Sequence, residues 1–201
     1  MAKIEDGLLS GKLDGKVYCR HPKTPYVRNM PAKSTKEPTD DQVFRRKGFK
    51  LVSALIKPLV DLLKLHFKGT WHNMGLKLNL STALIQEGAE ARIDYSKIRL
   101  TKRGAFKIVV LEAVLLKTGE LLVDWDFSRQ FTRGDEEAVI LVYCPSVNEW
   151  CYSITDCYIG DCLGGMIVPD EFLGKELHGY MYFLNQRSGA VSETLYLGVF
   201  S

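Results

Sequence analysis

Long hydrophobic runs are missing from this 201-residue chain. No apolar stretch approaches the roughly 18 residues that a bilayer-crossing helix needs. The opening Met-Ala-Lys-Ile-Glu-Asp-Gly has neither an apolar core nor a small-residue cleavage site. A secretory signal peptide is therefore not expected, and synthesis in the cytoplasm is. Cysteine is sparse and odd in number, at Cys19, Cys144, Cys151, Cys157 and Cys162. Reduced thiols are expected rather than a disulfide framework. Successive members of the last four are separated by six, five and four residues. Zinc knuckles need Cys-x2–4-Cys, so only the last pair has a fitting interval. Free, half-buried thiols are the expectation, with no metal and no cofactor.

Catalytic motifs are scarce as well. The four histidines, His21, His66, His72 and His178, form neither His-x-x-x-His nor His-Glu-x-x-His. There is no Gly-x-Ser-x-Gly elbow and no Walker loop. Gly160-Asp-Cys-Leu-Gly-Gly165 has glycines without the Lys-Ser/Thr or the following helix of a phosphate cradle. Asp124 with Asp126, and Asp156 with Asp161, read as exposed acids on strands. A non-enzymatic protein is expected.

What is present is an ordinary globular composition, 46% hydrophobic and 25% charged, with an uneven charge distribution. Residues 1–69 carry 15 Lys/Arg against 7 Asp/Glu, a net +8, whereas residues 70–201 are net −5. Such a split suits an acidic partner, either nucleic acid or the acidic half of a second copy. The basic residues cluster early: Lys12, Lys16, Arg20, Lys23, Arg45, Arg46 and Lys47, with Tyr18 and Tyr26 interleaved.

Three segments are expected. Residues 1–38 are rich in turn formers and read as a β-hairpin arm and connector. Its hairpin joins Lys16–Arg20 to Tyr26–Arg28 across His21-Pro-Lys-Thr-Pro25. A two-stranded ribbon is marginal alone and must pack on something. Residues 39–88 read as a helical hairpin. It opens on the capping box Thr39-Asp-Asp-Gln42 and is interrupted near Lys57 by Pro58. Gly69 is the expected stop, and a second helix is expected over 73–86. Residues 89–201 carry roughly seven β-prone runs at 8–12-residue spacing, which argues for an antiparallel sandwich. The fold class is therefore α+β: arm, helical hairpin, then an immunoglobulin-like or fibronectin-like β-sandwich.

Several segments resemble a domain-of-unknown-function family from Bacteroidota. They are Gly7-Leu-Leu-Ser-Gly11-Lys-Leu-Asp-Gly15-Lys-Val17, Val27-Arg28 and Pro38-Thr39-Asp-Asp-Gln42. Ala138–Tyr143, Pro169–Gly174, Tyr180–Phe183 and Ser192–Gly198 extend the likeness over nearly the whole chain. Tyr18 stands where that family has glycine, and Pro22-Lys-Thr-Pro25 where it has a Gly-Lys tip. The resemblance implies architecture and no activity.

The expected function is a structural subunit that assembles with copies of itself, head to tail, into a filament, a phage-like particle or a surface assembly. The arm residues Gly7, Gly11, Gly15, Val17, Tyr18, Tyr26, Val27 and Arg28 would complete the sandwich edge of the next copy. A nucleic-acid or acidic-partner adaptor using the basic N-terminal region is one alternative. A carbohydrate- or peptide-binding module is another, with Trp125, Trp150, Tyr152 and Tyr180 as its platform; sandwich core is the expectation for those four.

Overall fold

The computed structural model describes residues 3–5, 8–19, 24–32, 36–87, 90–102, 104, 107–128 and 134–201. Two strands organise most of them. β9 (Glu137–Cys144) and β12 (Leu177–Leu184) read EAVILVYC and LHGYMYFL, and every residue but Glu137 is buried. A strand apolar at consecutive positions must be covered on both faces. The two pair antiparallel, Tyr182 opposite Val139 and Tyr180 opposite Leu141. β10 (Glu149–Tyr158) and β13 (Leu195–Phe200) flank them, giving the sheet order β10-β9-β12-β13.

One face of that sheet meets a second sheet of order β11-β8-β7, built from β7 (Ile108–Leu115), β8 (Glu120–Phe127) and β11 (Leu163–Ile167). Leu121, Val123 and Trp125 of β8 interlock there with Ala138, Ile140, Val142, Met181 and Phe183. Trp125 donates its indole N–H to the Ile159 carbonyl at 2.8 Å, so its one polar atom is satisfied inside the core. The seven strands form the expected antiparallel sandwich. The fourth strand joins the sheet of the third, sixth and seventh.

The other face is covered by helices α1 (Asp40–Ile56), α2 (Val60–Phe67) and α3 (Trp71–Thr82). Val52, Leu55, Ile56, Leu59, Leu62 and Leu63 pack on Val139, Leu141, Tyr180 and Tyr182. Each fully buried aliphatic side chain contributes about 1.5–3 kcal/mol, so this layer is integral to the body. Pro58 divides α1 from α2 as expected, through a 3-10 turn at Lys57–Leu59. The next reversal falls on Lys68 at φ +50°, one residue before the expected Gly69.

The second helix also departs from expectation. It ends at Thr82 instead of running on to residue 86, and the hydroxyls of Ser81 and Thr82 bond back to the Leu78 carbonyl. Leu84–Glu87 is instead a strand, β5, paired with β6 (Glu90–Ile93). β6 ends at Ile93, and residues 95–97 form a 3-10 turn. The helical segment is thus three helices and a hairpin. The chain divides into two compact units, residues 1–39 and 40–201. Within the second unit, helices and sandwich share one core.

Polar ties join the helices, the 95–99 segment and the sheet. Trp150 donates to the Leu55 carbonyl at 2.8 Å. Buried Asn79 donates to the Arg99 carbonyl and accepts from the Arg99 N–H, both at 2.8 Å. Tyr180 donates to the Tyr95 carbonyl at 2.7 Å. Its neighbour Tyr182 is equally buried, yet its hydroxyl has no protein partner among the described residues.

That contrast makes a paired prediction. Tyr180→Phe removes a buried hydrogen bond and orphans a carbonyl, at about 1–2 kcal/mol. The melting temperature should fall by about 2–6 °C. Tyr182→Phe forfeits no protein hydrogen bond and should change stability by less than about 0.5 kcal/mol. Equal losses in thermal melts of the two variants would contradict this partition.

Candidate interaction surfaces

The arm holds more strand than the expected two-stranded ribbon. β1 (Lys3–Glu5), β2 (Leu8–Leu13), β3 (Lys16–Cys19) and β4 (Tyr26–Asn29) form an antiparallel meander in chain order. The missed signal was Asp14-Gly15 between two β-prone runs. Both residues have positive φ, +48° and +72°, as a tight type I′ hairpin turn requires. Gly15 then accepts from the Met30 N–H at 2.8 Å, which ties the end of β4 to that turn.

Register assigns the arm's side chains to faces. Lys12 lies opposite Val17, and Val17 opposite Arg28, so these three form one row across three strands. Cys19 and Tyr26 share that face. Gly11, Tyr18 and Val27 form a row on the other face, beside Leu13 and Lys16. The expected arm residues are therefore together on one small sheet but split between its faces, and its cations with them. Gly7, Arg20 and Lys23, and most of the expected His21–Pro25 tip, lie outside the described residues. No described side chain of residues 10–39 is buried. Tyr26 and Val27 are more than half exposed.

In the body, Arg45 and Arg46 are exposed on α1. Lys47 is spent on Glu90 of β6, Nζ to Oε1 at 2.5 Å. Two members of the alternative aromatic platform are core residues, the expectation for them. Trp125 sits between the two sheets, and Tyr180 between sheet and helices.

A surface that sequence reading only half found is the outer face of the β11-β8-β7 sheet. The alternation of β8 does turn Asp124 and Asp126 outward, as expected. The register adds neighbours to them. Glu112 of β7 lies directly opposite Asp124, and Leu163 of β11 lies on its other side. Val109 faces Asp126, and Ile167 faces Glu120. A bulge between Val110 and Glu112 pushes Leu111 out of register, where it is 63% exposed. The face therefore mixes exposed aliphatics with carboxylates, and β7, β8 and β11 contain no Lys or Arg.

A third feature is a polar chain through buried His178, running from exposed Glu176 to half-buried Tyr196. Glu176 Oε1 lies 3.2 Å from His178 Nε2, and His178 Nδ1 lies 2.8 Å from the Tyr196 hydroxyl. Carboxylate and phenol assign the neutral tautomer: Nε2–H donates to Glu176, and Tyr196 donates to Nδ1. Burial holds His178 below its ordinary pKa, opposed by Glu176. Burial also raises the Tyr196 phenol, so it stays protonated and is no activated base. The neighbouring groove of about 390 Å³ presents Lys97 and Arg99, but these pair with Asp94 at 2.9 Å and Glu193 at 3.5 Å. All five cysteines are free. Among the described residues no group of three His, Cys, Asp or Glu is placed to hold a metal ion. No helix among them is long and apolar enough to cross a membrane.

A family model described as a family of unknown function, DUF6266, matches residues 9–198. No curated protein matches the chain.

The histidines generate a pH prediction. His66 Nε2 donates to the Leu100 carbonyl at 3.0 Å, and burial lowers its pKa from the ordinary value of 6.5. His178 is lowered likewise. The unfolded chain takes up protons at both sites before the folded chain does. Stability is therefore full above about pH 6.5 and declines as pH falls from there toward the folded values. His66→Gln keeps a donor for the Leu100 carbonyl and should flatten part of the decline. Urea midpoints that do not change between about pH 7.5 and about pH 5.5 would contradict this.

Proposed function

We propose that this chain, which belongs to the family of unknown function DUF6266, is a non-enzymatic structural subunit that associates head to tail with copies of itself through its N-terminal arm. One observation carries the reading. The arm is a compact unit with a four-stranded meander, and none of its described side chains is buried. A sheet of short strands without a core is marginal in water and gains stability by covering its apolar side chains. Leu13, Tyr26, Val27 and Met30 are the exposed candidates.

Charge supports the same partner. Residues 1–39 hold eight Lys/Arg against four Asp/Glu, a net +4, so an acidic surface suits the arm. The body carries such a surface on its three-stranded sheet. An arm-to-body contact is heterologous and propagates into a ring or an open filament. The nucleic-acid alternative is weaker, because Lys12 and Arg28 lie on the opposite arm face from Lys16.

The test is deletion of residues 1–38. The full chain should sediment as concentration-dependent oligomers. The truncated chain should sediment as a monomer while keeping the thermal transition of the body. A truncated chain that oligomerises like the full one overturns the reading.

A further inference from the structure

We infer that the outer face of the β11-β8-β7 sheet is the seat for the arm of a second copy, engaged through the row Lys12–Val17–Arg28. This deepens the assembly reading and rests on it. The face carries an unusual amount of uncovered aliphatic surface for strands in register. Ile167 is 78% exposed, Leu111 63%, Val109 62% and Leu163 55%. Contiguous apolar patches of this kind mark interaction surfaces.

Its charges point to the chemistry of the occupant. Glu112 and Asp124 oppose each other across the β7–β8 pair, an arrangement that destabilises a sheet when nothing compensates it. Among the described residues neither they nor Glu120 makes an ion pair, and Asp126 accepts only from the Phe127 N–H at 2.8 Å. A cationic, partly apolar surface laid over them would relieve the repulsion and cover the aliphatics together. The arm offers that pattern: two cations two strands apart, about 10 Å, with a valine between them and Tyr26 beside Arg28 on the same face.

The geometry favours the face over the expected edge. β10 lies near β11, and β13 near β7, so each sheet edge already has a neighbour that an incoming strand would meet. The bulge at Leu111 further breaks the ladder that an added strand on β7 would need.

A charge swap in the full-length chain tests this. One variant carries Lys12→Glu and Arg28→Glu; the other carries Glu112→Lys and Asp124→Lys. Each alone should associate at least about tenfold more weakly than wild type by sedimentation velocity, because like charges then meet. An equimolar mixture should recover association, since each variant's arm then matches the other's face. Recovery also shows that both variants are folded. Wild-type association should weaken as salt is raised. If the Glu112→Lys/Asp124→Lys chain assembles like wild type while deletion of residues 1–38 abolishes assembly, the seat is wrong and the arm reading stands. If the mixture fails to recover, the pairing is wrong. A wild-type chain that stays monomeric at every concentration removes both.

Discussion

A four-stranded sheet with apolar side chains on both faces has to be covered twice, and most of this molecule follows from that. β9 and β12 place Val139, Leu141, Tyr180 and Tyr182 on one side and Ala138, Ile140, Met181 and Phe183 on the other. A single partner sheet would leave the first set in water. Three helices cover it, and the result is a three-layer body in which neither half of the sequence has a complete core without the other. Hydrogen bonds tie helices, sheet and the 95–99 segment together as well. The Trp150–Leu55, Asn79–Arg99 and Tyr180–Tyr95 hydrogen bonds each join segments far apart in sequence.

The same logic separates surfaces that are finished from surfaces that are not. The central sheet is satisfied on both sides. The outer sheet is satisfied only inward, through Leu121, Val123 and Trp125, and its other face leaves exposed aliphatics beside carboxylates that make no ion pair among the described residues. The arm shows the complementary deficit, with strands and cations and no buried side chain among those described. Two incomplete surfaces of opposite charge on one chain are the physical basis for proposing contact between copies. The Glu176–His178–Tyr196 chain belongs to the finished part. It neutralises polar groups inside the aromatic cluster, where His178 packs at 4.6 Å from Tyr95, and burial keeps both His178 neutral and the phenol protonated.

Much of this was legible one segment at a time. Pro58 breaks a helix wherever it stands inside one, because it lacks an N–H and its ring clashes with the preceding turn. The alternation in β8 marked its inward and outward residues, because a strand covered on one face must alternate. The continuous apolar runs of β9 and β12 marked strands without saying that a second layer would cover them. The end of α3 was not legible. Leu84–Glu87 has residues a helix accepts, and it is a strand because Ile93 and Arg92 are there to pair with it. Lys68, not Gly69, takes the positive φ, although a glycine adopts that conformation at less cost.

By itself the sequence determined the α+β class, the seven-strand sandwich, the helix break and the charge asymmetry between its ends. Each of these is written in local periodicity, in a single residue's covalent geometry or in composition. Only the tertiary structure decided that the helices share the sandwich's core, that the basic residues of the arm divide between two faces, and that Glu112 meets Asp124 among exposed aliphatics. Those facts depend on which strands become neighbours and in what register. A one-residue slip would send every side chain of a strand to the opposite face, and the pairing that prevents it is made by residues distant in the chain.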